Sequence, residues 1–109
     1  MAKKKNHPKT GGPIEKALNG VCMASAQITE DKLPVGFMYR ESPEEDLDSG
    51  WRFLSGKEDD DYLENENNYG VFDVDFIVGL DSVVRNYIHL PVGSELERNG
   101  NKFIPYSEE

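Results

Sequence analysis

At 109 residues the chain holds one domain with a modest core, burying somewhat under about 70% of the surface its unfolded form exposes. Hydrophobic residues make up 37% and charged residues 30%, and 21 acids against 12 bases give a formal net charge of -9. That balance excludes nucleic acid as a partner, because phosphate backbones reward clustered Lys and Arg; no apolar run is long enough to span a membrane, and the single cysteine, Cys22, cannot form an internal disulfide.

Residues 1–13 carry Lys3, Lys4, Lys5 and Lys9 with no acid, broken by Pro8, Gly11, Gly12 and Pro13. This predicts a disordered basic tail ahead of a domain over residues 14–109. The polar residues after Lys5 lack the apolar segment of an export signal, so the expected location is the cytoplasm.

Residues 21–28 (VCMASAQI), 35–40 (VGFMYR) and 51–55 (WRFLS) read as strands, the last two with aromatics in near alternation. Phe37 and Tyr39 share a face, as do Trp51 and Phe53, so one face of the sheet is expected to be strongly aromatic. Between them, Ser42-Pro43-Glu44-Glu45 has the pattern of a capping box with proline in the first turn and predicts a short helical turn. The turn chemistry of Asp48-Ser49-Gly50 should end it.

Further on, the carboxylates of EDDDYLEN suit a helix start and predict a helix over residues 58–65, mostly facing water. A strand over residues 71–74 and a helical turn over 75–78 come next. Asp81 should cap a helix whose Val83, Val84, Tyr87 and Ile88 recur at helical spacing, ended by Pro91 and Gly93. Residues 94–98 and 102–106 should close a hairpin across Asn99-Gly100-Asn101. The expected architecture is α+β: a single small domain, a mostly antiparallel sheet with short helices.

No pattern of enzyme chemistry emerges. Gly56-Lys57-Glu58 lacks the hydroxyl residue and upstream glycine of a phosphate loop. Cys22 sits in an apolar run and reads as a core thiol, with His89 its only nominal partner in the folded part. Zinc needs three or four nitrogen or sulfur ligands. The calcium-like run from Asn65 to Gly70 fails, because Tyr69 stands where an oxygen ligand is required and Phe76 where a bidentate glutamate is required. No metal, cofactor or catalytic residue is expected.

Charge distribution is more informative. Residues 41–66 hold eleven acids against two bases, Arg52 and Lys57, a net of -9, while the rest of the chain balances. If those acids flank the Trp51 strand in space, they form a negative face that steers a basic partner.

The order Met38-Tyr39-Arg40-Glu41, then Asp48-Ser49-Gly50-Trp51-Arg52-Phe53, then Ser55-Gly56 and the acidic run from Glu58 to Tyr62 resembles the immunity-protein-33-like family of small bacterial domains. The similarity covers about residues 21–98, with Leu54 in place of a second aromatic and Lys57 in place of an acid. The resemblance implies a protein that binds a polymorphic toxin in the cytoplasm and blocks it, with the cognate toxin as partner and no catalysis. On that reading Asp48, Glu58, Asp59, Asp60, Asp61 and Glu64 supply steering charge, and Tyr62 or Trp51 an aromatic anchor. Alternation with Phe53 on a strand favours a core role for Trp51 over that of an anchor. Arg40, Arg52, Ser49 and Gly50 either hold the acidic loops in shape or contact an anion, the latter in an alternative reading as a small-molecule-binding or regulatory module.

Overall fold

The structure is a computed structural model and describes residues 18–106. Residues 1–13, expected to form a basic tail, lie outside them, as do 14–17 and 107–109.

Among the described residues six strands form one sheet: β1 (Val21–Ser25), β2 (Phe37–Arg40), β3 (Asp48–Leu54), β4 (Tyr69–Asp73), β5 (Glu95–Asn99) and β6 (Lys102–Pro105). Their order is β4-β1-β3-β2-β5-β6. All pairings are antiparallel except β1 with β3. The protein is thus an α+β domain with a mostly antiparallel mixed sheet. Strand β3 is inserted between β1 and β2 and is the most enclosed, buried throughout Ser49 to Phe53.

Register assigns the faces. Directly opposed residues in a ladder share a face, and β2 sets Met38 against Phe53 and Arg40 against Trp51. Met38, Trp51 and Phe53 therefore point to one side, where Ile77, Val78, Val84 and Ile88 close the core. The other side carries Phe37 opposite Leu54 and Tyr39 opposite Arg52. The aromatics are divided between two faces rather than gathered on one: Trp51 and Phe53 stack at 6.1 Å inside, while Phe37 lies 5.9 Å from Tyr39 and 5.2 Å from Tyr106 outside.

Short helices supply the second layer. Ser25 ends β1 because its hydroxyl accepts from the Gln27 N–H at 3.1 Å and starts α1 (Ala26–Thr29), so the strand expected over 21–28 stops early. Asp73 caps α3 (Val74–Leu80), which takes Val74 from the expected strand and is longer than the expected turn. Asp81 caps as predicted, but the segment it starts, Ser82–Asn86, is a 3-10 helix rather than an α-helix. Its second carboxylate oxygen accepts from Val35 N–H at 3.0 Å and Arg98 Nη1 at 2.6 Å, tying this corner to the sheet. The closing hairpin forms one residue later than expected on its first strand, with Gly100 at φ 68° in the turn.

Two expectations fail locally. No helix forms at Ser42–Glu45; the Asp48 carboxylate takes the Glu44 N–H at 2.9 Å, and Asp48 N–H bonds the Glu45 carbonyl. The segment offers only Leu47, 45% exposed, as an apolar contact, so nothing packs a helix down. Asp48-Ser49-Gly50 is not a turn between elements but a bulge inside β3, where Val21 pairs with Asp48 and Met23 with Arg52. The same side-chain chemistry operates there, with Asp48 Oδ1 accepting from Gly50 N–H at 2.8 Å and Ser49 Oγ from Trp51 N–H at 3.0 Å.

Candidate functional site

The bulge concentrates polar chemistry at the start of β3. Arg52, 4% exposed, donates from Nε to Glu41 at 2.7 Å and through a fork of Nη1 and Nη2 to both Asp48 oxygens at 3.0 and 2.9 Å. Nη1 also reaches the Trp51 carbonyl at 3.1 Å. Burial alone raises the Asp48 pKa, but the Arg52 fork and the Glu44 and Gly50 N–H groups outweigh it and hold the carboxyl at about 2. The Asp48 hydrogen bonds raise the Arg52 pKa against the pull of burial, with Glu41 adding to the rise.

Arg40 donates to the Ser49 carbonyl at 2.8 Å and the Leu90 carbonyl at 2.7 Å, and its guanidinium lies 5.7 Å from the Trp51 ring centre. Trp51 is 1% exposed and its indole N–H donates to the Ile88 carbonyl at 2.9 Å. Its core role is the one realised: packed under β3, the indole has no surface to offer as an anchor. Both arginines direct their donors to the protein's own oxygens, and among the described residues no buried side-chain nitrogen or oxygen lacks a partner. Nothing in this arrangement favours an anion site between them.

After β3 the chain turns back over the outer side of the sheet. Glu58 accepts from the Ser55 and Gly56 N–H groups at 2.8 and 3.0 Å. Burial pushes its pKa up, yet these bonds and the Ser25 hydroxyl bring the net shift down. Asp59 accepts from Tyr62 N–H at 2.8 Å and caps α2 (Asp60–Glu64), five residues where a helix over 58–65 was expected. Asn68 Nδ2 donates to the Tyr62 carbonyl and the Tyr69 hydroxyl to the Leu63 carbonyl, both at 2.9 Å, securing α2 at its far end. Tyr62 is half-buried, and Asp60, Asp61 and Glu64 are exposed.

Between α2 and the loop ahead of β3 lies an open hollow of about 460 Å³ floored by Met23, Tyr39, Leu54, Leu63 and Tyr69 and bordered by Glu41 and Glu44. A second hollow of about 460 Å³ shares Leu54 and Leu63 with it and adds Phe37, Tyr106, Glu58 and Glu97. A third, smaller one shares Met23, Glu44 and Arg52 with the first and reaches Val71, Glu45 and Asp48. The first adjoins each of the others through these shared residues, an interrupted trough over the outer face of the sheet. Its negative field reaches the phenols: burial and then the Glu41 charge raise the Tyr39 pKa, and burial and then the Glu58 charge raise that of Tyr69.

Glu41, Glu44, Glu45 and Asp48 thus border the first and third hollows, and Glu58 and Glu97 the second. Two of them, Glu41 and Asp48, are paired with Arg52, and Trp51, expected beside an acidic face, is buried. The sequence reading missed the floor of Tyr39, Leu54, Leu63 and Tyr69. The alternation of Phe37 and Tyr39 was a signal for it, but only the register with β3 tells which alternate residues face outward.

Burial also pushes the Cys22 thiol well up, which leaves it protonated and inert. No group of three or more metal-ligating side chains occurs among the described residues, nor any helix long and apolar enough to cross a membrane.

The domain is α+β, with α1, α3 and the 3-10 segment Ser82–Asn86 packed on one side of its sheet and acid-bordered hollows beside α2 on the other. The family model described as Immunity protein Imm33 domain matches residues 22–105. The chain belongs to that family of immunity proteins. No curated protein and no solved structure matches it.

Proposed function

We propose that this protein is a stoichiometric inhibitor that binds and neutralises a cognate polymorphic toxin in the cytoplasm of the producing bacterium, and that acidic side chains on the outer side of the sheet steer the encounter. Membership of the immunity family over residues 22–105 carries this reading. Physical features support it. Inhibition by occlusion needs a rigid surface rather than a reaction centre, and the polar groups of this domain are engaged in holding loops. Residues 41–66 hold the entire net charge, and many antibacterial toxins are nucleases with basic clefts that such a surface complements. Asp60, Asp61 and Glu64 contribute long-range field, Asp59 and Glu58 shape the segment that carries them, and Tyr62 is the aromatic side chain on the same short helix.

The test is capture on the immobilised full chain from lysate of the source bacterium, identification by mass spectrometry, and expression of each captured protein in a test strain. The expected result is a captured protein that arrests growth and whose toxicity co-expression of this chain relieves. If the chain relieves the toxicity of none of them, the inhibitor reading is wrong.

A further inference from the structure

We propose that the face of the sheet opposite the core is the docking surface, and that it takes a protein segment bearing an aromatic or aliphatic side chain between Lys or Arg residues, as on the surface of a basic toxin. The inference rests on the inhibitor reading and adds to it the place of contact and the chemistry of the segment that makes it.

Among the described residues, α1, α3 and the 3-10 segment Ser82–Asn86 pack against one face of the sheet, and the short α2 lies over the other. On that second face, Leu63 is 38% exposed, Tyr106 38% and Val71 44%, at points spread across the width of the sheet. Six strands at about 4.8 Å spacing make that face about 24 Å wide, the scale of a protein–protein contact rather than of a metabolite. Each hollow is open to solvent, and no unpartnered buried polar atom among the described residues points into one to orient a small ligand.

Charge selects the occupant. Glu41, Glu44, Glu45, Asp48, Glu58 and Glu97 line the three hollows. Among the described residues Arg52 is the only cation lining them, and its hydrogen bonds go to Glu41, Asp48 and the Trp51 carbonyl. A second copy of this chain would set the same carboxylates against one another, and an anionic membrane or nucleic acid would be repelled. A basic protein segment satisfies both features: its cations meet the rim, and its apolar side chain covers Tyr39, Leu54 and Leu63. The contact is therefore placed on the sheet rather than on the outer carboxylates of α2.

The test uses the 15N-labelled full chain and three synthetic amidated peptides, Lys-Lys-Trp-Lys-Lys, Lys-Lys-Gly-Lys-Lys and Glu-Glu-Trp-Glu-Glu, followed by amide chemical shifts at low salt. The expected result is saturable shifts at Tyr39, Leu54, Leu63 and Tyr69 with the first peptide, with affinity at least about fivefold weaker for the other two. Leu63→Lys and Leu54→Lys should each weaken the first peptide about tenfold. Asp60→Asn with Asp61→Asn should weaken Lys-Lys-Trp-Lys-Lys and Lys-Lys-Gly-Lys-Lys by the same factor, as a long-range charge effect without contact to the tryptophan would. Shifts confined to Asp59, Asp60 and Asp61 and indifferent to the tryptophan, or no saturable binding by the wild type, overturn the assignment; the wild-type comparison needs no variant to fold. A chain that binds the first peptide as described yet relieves no toxin keeps the surface and loses the inhibitor reading. A toxin neutralised with equal affinity by wild type, Leu54→Lys and Leu63→Lys keeps the inhibitor reading and overturns the surface.

Discussion

Arg52 is the residue on which the acidic loop depends. Its side chain is 5% exposed and that of Asp48 8%, so the pair is shielded from water, and Glu41 adds a more exposed partner. Removing one member leaves a buried charge without its counter-ion, which is far more costly than the pair is stabilising. Asp48→Asn should lower unfolding stability at pH 7 by about 3 kcal/mol, read by urea denaturation. The pH sign comes from a folded-state pKa of about 2 against an ordinary 3.8. A depressed carboxyl stabilises the fold above its unfolded value, and that contribution is lost as pH falls from about 4 to about 2. Across that window the wild type should lose about 2 kcal/mol more than Asp48→Asn, and parallel pH curves would remove Asp48 as the cause. Gly50 is the other exacting position. Its φ is 89° and an added Cβ would run into the Glu41 carbonyl oxygen, a backbone atom that cannot swing aside as a side chain can, so Gly50→Ala should cost at least about 2 kcal/mol. A melting temperature within a degree or so of wild type would show that the bulge relaxes freely.

The elements were legible in the sequence where side chains act on their own backbone. Asp81 is expected to cap and does; Ser25, Asp59 and Asp73 cap by the same local chemistry, each accepting an N–H two or three residues on, but the apolar or acidic runs around them hide the boundary. Asn-Gly at positions 99 and 100 marks the hairpin for the same local reason. Legibility ended where a distant element decides. The capping-box pattern at Ser42 loses because Asp48 takes the Glu44 N–H and no core lies beneath; turn chemistry at Asp48 becomes a bulge because β1 and β2 pair on either side of it. The α2 segment is held by hydrogen bonds rather than by a packed face, for none of its residues is buried. Glu58→Ala should therefore free the Ser55 and Gly56 amides and speed hydrogen exchange over residues 55–64 while lowering global stability by only about 1–2 kcal/mol. Unchanged exchange there would mean that Leu63 alone seats the segment on the sheet.

At the scale of the molecule, charge and topology act together. The crowding of acids in residues 41–66 was visible in the sequence, and so was the family likeness of the Asp48 to Phe53 stretch. The trough was not, because it joins Met23, Tyr39, Leu54, Leu63 and Tyr69 from four strands and a helix whose neighbours are set only by the sheet order. A rim of carboxylates around an apolar floor separates two quantities that are often conflated. The rim governs how fast a basic partner arrives, and the floor how slowly it leaves. The association rate with a neutralised toxin should fall about tenfold or more from low to high salt, and Asp60→Asn with Asp61→Asn should slow association while leaving dissociation within about twofold. A rate indifferent to salt would dispose of electrostatic steering. The most direct measurement is methyl cross-saturation from an unlabelled, neutralised toxin to the methyl-labelled full chain. Attenuation should be strongest at Leu54, Leu63 and Val71 and weak at Leu80, Val83 and Leu90 on the helix side. Strong attenuation on the helix side, with Leu54 and Leu63 untouched, would contradict docking on the sheet.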